Sequence, residues 1–367
     1  MEKLNSAEMG KLWATYMGNS MATCILSYFL RHVEDQDIKK LLENALNLSK
    51  EFQSTIKDTF IKENIPIPHG FTKEDVNLDA PKLFEDEFYV HYLRYVTKVG
   101  LSLYSVGIPL MYREDIREFS LHCMESTIKL EEHIKDISIN KGVIVKSPII
   151  PTPKKVKIAH KNYLKGFIGD VRPLHALEIA HLYDNLETNV ASKALVMAFS
   201  QVTKTKKIRN LFIKGEELTY KAIEGYIKKL HDDNLPSPGL IDHLVTTSTS
   251  SPFSDKLMVF HKMDMFSMRV RNFGNSVAVN GRRDLALMYA DFLKDISGFV
   301  NDAADIMIEN EWIETPPKLR IEKIYLQSRE YTIVNGSRAE KHHHGNSPVS
   351  LQEQKKLLLG TVAFFCF

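Results

Sequence analysis

The stretch Asn64-Ile65-Pro66-Ile67-Pro68 returns 170 positions later as Asn234-Leu235-Pro236-Ser237-Pro238. Sliding the chain by that offset pairs residues 4–68 with 174–238 without a gap. It gives eleven identical pairs in sixty-five, including Leu4/Leu174, Glu8/Glu178, Leu12/Leu182, Asn19/Asn189 and Phe29/Phe199. Unrelated sequence of ordinary composition would give about four. The chain is an internal duplication, and the repeated unit is long enough to be a bundle of helices.

Around the first motif the pattern is helical. Residues 7–33 place Met9, Leu12, Trp13, Tyr16, Cys24, Ile25, Tyr28 and Phe29 near i, i+3, i+4, i+7 spacing, which predicts an amphipathic helix with one buried stripe. The acids of 34–37 suit the start of a second helix, whose stripe Ile38, Leu41, Leu42, Ala45, Phe52, Ile56 and Phe60 runs to about residue 63. The prolines of the motif end it, because proline lacks an amide donor and restricts the residue before it. Pro68–Pro81 has loop composition; extended, it reaches about 45 Å, farther than the roughly 35 Å of such a helix. It can therefore cross the length of a bundle. Helices at about 84–106 and 113–139 complete the first repeat. Those at about 175–201, 204–232, 255–279 and 282–309 repeat the scheme around a second crossover at 234–254.

The expected fold is all-α: two tandem ferritin-like four-helix bundles with long crossover connections. The expected division is a first bundle over 4–142, a proline-containing linker over 143–172, a second bundle over 173–317 and an irregular, disordered tail over 318–367. Forty-eight basic and forty-six acidic residues give a formal charge of +2, which leaves no excess to attract nucleic acid or an anionic membrane surface. No window approaches the roughly 18 apolar residues of a membrane span. Cys24, Cys123 and Cys366 form no CxxC pair, which fits a reducing compartment. With no basic segment and apolar run at the N-terminus, a cytoplasmic protein is expected.

Several phrases, taken in order, carry a resemblance: Pro66-Ile67-Pro68-His69-Gly70-Phe71-Thr72, Ala80-Pro81-Lys82-Leu83-Phe84, Arg172-Pro173-Leu174, Pro252-Phe253-Ser254-Asp255-Lys256-Leu257-Met258 and Trp312-Ile313-Glu314-Thr315-Pro316-Pro317. Over residues 4–318 the chain resembles the family known as domain of unknown function 3231, found in spore-forming Gram-positive bacteria and often in tandem. The resemblance implies a ferritin-like bundle distantly similar to spore coat F proteins, a link to the spore, and no established activity or catalytic residues.

A ferritin-like di-metal site needs a Glu from each of two helices and a Glu-x-x-His from each of the other two. Helices two, four, six and eight contain no such pair: His122 follows Phe119 by three, His133 follows Leu130, and His231 follows Lys228. One Glu-x-x-His occurs, Glu178 with His181, in helix five. Its counterpart is Glu8 with Lys11, which cannot serve as that pair. At the 170 offset His91 matches His261, and Asp264 lies one turn beyond His261. Glu178, His181, His261, His91 and Asp264 are therefore the candidate metal ligands, each weighed against an ordinary role as a buried histidine or a carboxylate at a helix start. No catalytic residue and no cofactor are expected. The hydroxyl tract Thr246–Ser251 reads as a solvated loop. The tail, with Lys341-His342-His343-His344-Gly345 and its closing Phe364-Phe365-Cys366-Phe367, departs from everything before it, as read-through sequence after a frameshift near Leu319 would.

The preferred function is a non-catalytic structural or interaction protein linked to sporulation, acting through self-association or a protein partner. The alternative is a bundle that binds a metal or a small molecule.

Overall fold

A computed structural model describes residues 2–167 and 171–318. The described residues form eight α-helices: α1 Ser6–His32, α2 Gln36–Lys62, α3 Asp86–Gly107, α4 Glu114–Asn140, α5 Ala176–Val202, α6 Lys206–Asp232, α7 Asp255–Val279 and α8 Arg283–Glu309. α1–α4 form one four-helix bundle and α5–α8 the second, and residues up to Glu314 belong to one compact unit. Thr315 opens a second unit, described only to Lys318. Expectations for the tail beyond that residue, including His342–His344 and Cys366, lie outside the described residues. No described helix is long and apolar enough to cross a membrane.

The repeated motif stops its helix by a means beyond proline. Asn64 and Asn234 adopt left-handed backbone, φ 55° and 57°. In each repeat the amide after the Asn donates to a carbonyl five residues back, Ile65 to Phe60 and Leu235 to Leu230, both at 2.9 Å. This is a Schellman cap, and Asn is among the few residues that enter that region at low cost. α4 and α8 end the same way, with Gly142 at φ 68° and Glu311 at φ 58° in the left-handed position.

The two repeats depart from one register. α1/α5 and α2/α6 are related by 170 positions, whereas α3/α7 and α4/α8 are related by 169. Four residues, His69–Thr72, separate Pro68 from the 3-10 turn Lys73–Asp75. Three, Gly239–Ile241, separate Pro238 from its counterpart Asp242–Leu244. The extension of the 170 offset into the third helix is therefore corrected: His261 corresponds to Tyr92, and His91 to Phe260.

In the true register the crossovers are symmetric partners. Val76 bridges Phe253 and Phe84 bridges Val245, both antiparallel. The supporting amides are Asn77 to Pro252 O (2.8 Å), Thr246 to Leu83 O (3.0 Å), Ser254 to Asp75 O (3.0 Å) and Glu85 to Leu244 O (2.8 Å). A shift of 169 exchanges each bond with another of the set. On the same axis Tyr92 Oη and His261 Nε2 share a hydrogen bond of 2.9 Å. Tyr28 meets Phe253 and Phe71 meets Phe260, with ring centroids 5.2 and 5.0 Å apart. Glu314, at the end of the second repeat, accepts from the amides of His69 and Gly70 at 2.7 and 2.6 Å. The single buried stripe expected for the first helix is too narrow, because α1 also buries Ala22 and Leu26, which line the interior of its own bundle.

The seam's flanks differ. On one, Arg94 pairs with Glu187 (3.1 Å) and Lys98 with Asp184 (2.5 Å). The equivalent positions on the other are Met263 with Met17, both buried, and Ser267 with Ala14.

Glu311 is exposed and pays for its left-handed backbone. Glu311→Gly is expected to stabilise the protein by about 0.5–1 kcal/mol, read from urea unfolding midpoints at constant slope. A lower midpoint would refute the strain.

Candidate functional site

The largest difference between the bundles lies in their centres. Among α1, α2, α3 and α4 the first bundle holds a partly open cavity of about 120 Å³. Its wall is built of small residues on facing helices: Ala14, Gly18 and Ala22 of α1, Ala45 and Ser49 of α2, Thr97 and Gly100 of α3, and Thr127 of α4. A methyl group added at Gly18 would meet nothing within 4 Å, and one at Gly100 only ordinary contacts with Tyr104 and Thr127 at 3.4 and 3.5 Å.

The second bundle fills the same space. Gly100 is replaced by Arg269, Thr97 by Phe266, Thr127 by Ile296, Leu130 by Phe299 and Ser49 by Thr219. Arg269 is 1% exposed and donates from Nη1 to Thr219 Oγ1 at 3.2 Å, with its guanidinium 4.5 Å from the Phe266 ring centre. Its Nε and Nη2 have no hydrogen-bond partner. Burial lowers its pKa to about 10, against a raising influence from Tyr226 and Tyr95. Phe299 packs so closely that a methyl group on Gly215 would lie 2.7 Å from its ring. Lys262, also fully buried, donates to Ser192 Oγ (2.5 Å) and sits 4.7 Å over Phe266.

The seam supplies one end of the first-bundle cavity. Tyr92 and Tyr95 from α3 and His261 and Asp264 from α7 line it. Burial, and then the neighbouring Lys262, push the His261 imidazole down to about 3, so it is neutral; its Nδ1 has no partner. Tyr95 is 6% exposed and its hydroxyl is likewise unpartnered. Burial lifts the Asp264 carboxyl to about 6, opposed by the positive Arg271.

The five sequence candidates are thus divided. His261 and Asp264 come together at the cavity. His91 is half-buried against Arg94, Tyr95 and Glu187, with its pKa lowered to about 4 by burial and by the charges of Arg94 and His243. Glu178 stands elsewhere. It accepts from the amides of His175 (3.0 Å), Gly281 and Arg282 (3.1 Å each) and pairs with Arg172 at 2.7 Å. Gly281 follows α7, whereas His261 lies eighteen residues before the last residue of that helix, about 27 Å along it. His181 is half-buried one turn from Glu178. Among the described residues no three His, Cys, Asp or Glu side chains are placed to hold one ion.

Glu8 repeats the Glu178 arrangement, accepting from Asn5, Tyr112 and Arg113 amides at 2.8, 2.9 and 2.8 Å. Burial acts to raise its pKa, but those amides lower it further, so the net shift is downward. Arg113 and Arg282 close the network on Asp115 and Asp284. These two acids therefore tie the start of the first helix of each bundle to the start of its fourth. Sequence reasoning missed Gly100, Tyr95 and both arginines. Aligning the third helices at 169 instead of 170 would have set Gly100 against Arg269.

A family model described as "Protein of unknown function (DUF3231)" matches residues 1–156 and again 163–323. Among solved structures, a "putative spore coat protein" from Bacillus halodurans C-125 is 18% identical, with a TM-score of 0.37, over 41% of this chain and 98% of that one. No curated protein matches.

Folded His261 stays neutral to about pH 3 and His91 to about pH 4, while unfolded imidazoles protonate below about 6.5. Unfolding then takes up protons, so stability is full above pH about 6.5 and falls as the pH drops towards 3. Asp264 acts oppositely, losing stability as pH rises from about 3.8 to 6. His91→Gln with His261→Gln should flatten the loss between about pH 6 and 4. Unfolding free energies measured across that window would show an unchanged slope if the assignment is wrong.

Proposed function

The chain belongs to the DUF3231 family, represented twice in tandem, and from that premise we propose that it is a non-catalytic binding scaffold. The second bundle is a filled structural core, and the first receives one small molecule among α1, α2, α3 and α4. The observation that carries this reading is the cavity of about 120 Å³ at a position that Arg269 and Phe266 occupy in the other repeat. A space of this size is comparable with cavities that admit a benzene-sized guest.

The wall supports binding over catalysis. Two of its hydroxyls are committed to the backbone: Thr97 Oγ1 to Arg94 O (3.0 Å) and Thr127 Oγ1 to Cys123 O (2.7 Å). Its imidazole is neutral and engaged with Tyr92. Nothing in it pairs a nucleophile with a base. The link to spore-forming bacteria makes sporulating cells, their cytoplasm and the spore the place to look for the occupant. Self-association or a protein partner would then use the outer faces of the bundles.

Toluene, a compact apolar probe, tests the cavity. At ten times its dissociation constant a ligand adds about 1.4 kcal/mol, which raises the melting temperature of a domain of 150–250 residues by about 3–6 °C and of a longer chain by somewhat less. The rise is expected for the native chain and not for Thr97→Phe, which carries the second repeat's residue into the cavity. An equal rise in both, or none in the native chain, would refute the reading.

A further inference from the structure

We propose that the molecule held in the first bundle is a protonated amine with a compact apolar body, its ammonium group bound by Asp264 and Tyr95. This rests on the cavity being a binding site. Asp264 is the only carboxylate in the cavity wall, where it stands with the neutral His261; Arg271, the cation that acts on it, is not among the lining residues. Tyr95 contributes a hydroxyl that is buried and without a hydrogen-bond partner, and its oxygen can accept from an ammonium that the carboxylate also holds. The rest of the wall suits the body of such a guest. Phe52, Tyr92 and Tyr104 add aromatic surface, which attracts organic cations through the ring quadrupole.

The second repeat shows the same solution in covalent form. Where the first bundle has Gly100 and a space, the second has the cationic side chain of Arg269 stacked on Phe266 and hydrogen-bonded to Thr219. The two bundles share a frame whose centre accommodates a delocalised or aromatic-stacked cation. The first lacks an internal one and instead presents a carboxylate across the seam. Asp264 belongs to α7, so the second repeat supplies the charge that selects the guest of the first.

The test compares benzylamine with its neutral isostere benzyl alcohol by isothermal titration calorimetry on the full chain. At about pH 8 Asp264 is ionised and an aliphatic ammonium keeps its proton. Benzylamine should bind at least about tenfold more tightly. Asp264→Asn should bring the two within about twofold of each other, while toluene, which has no polar group to meet residue 264, still raises its melting temperature and so shows that the variant's cavity is intact. Gly100→Arg should abolish binding of both. Equal binding of amine and alcohol to the native chain, or an unaltered amine preference in Asp264→Asn, overturns the amine assignment and leaves the cavity a neutral site. Failure of both probes to bind overturns the cavity reading as well.

Discussion

Two extended crossovers meet in isolated antiparallel bridges, Val76 with Phe253 and Phe84 with Val245. Each supplies the carbonyls that accept from the other's amides, so part of the backbone of each is paired by the other. That pairing fixes the rest. Once Asn77, Glu85, Thr246 and Ser254 donate across the seam, the third helix of each repeat starts beside its symmetry mate. Tyr92 and His261 then meet on the axis. Each bundle is therefore buried on two sides, by its own four helices and by the other repeat. This is why α5 and α7 hide Asn185, Asn189, Lys262 and Arg269 as well as apolar residues.

Within that symmetric frame the two cores have diverged in opposite directions. The second has the greater volume and charge: Arg269 and Lys262 are basic groups removed from water, each donating to one hydroxyl and lying against the Phe266 ring, with two of the Arg269 nitrogens unpartnered. The desolvation cost is visible in their lowered pKa values. The first lost volume, with glycine, alanine and threonine at the matching positions. Cavities of this kind cost stability in proportion to their size. A core that keeps one while its twin is filled carries that cost without a packing reason, which supports the binding role proposed for it.

Much of this architecture is legible in the sequence. The duplicated Asn-x-Pro-x-Pro, the 3.6-residue stripes and the crossover lengths fix eight helices in two bundles, with helix ends within about two residues. What escaped is physical in origin. A one-residue difference between His69–Thr72 and Gly239–Ile241 changes no periodicity, yet it rotates the comparison of α3 with α7 by about 100°. His261 was consequently matched to His91, and Gly100 was never compared with Arg269. Glu178 was recognisable as a helix-start acid. That it also holds the Gly281 and Arg282 amides depends on contacts more than a hundred residues apart. The cavity was invisible for a related reason: small residues at helical spacing signal close packing as readily as empty space, and only the positions of the facing helices decide.

The pairing of Tyr92 with His261 has a consequence for stoichiometry. In an assembly of two identical chains, a residue on the axis must face a copy of itself, and every pocket near the axis must come in twos. Joining the halves in one chain lifts that restriction. Phenol can face imidazole, an ionic flank can stand opposite an apolar one, and a carboxylate from one half can complete a chamber in the other without being copied back. On the proposed reading the first bundle would take up one guest per chain, with no copy of that chamber required in the second.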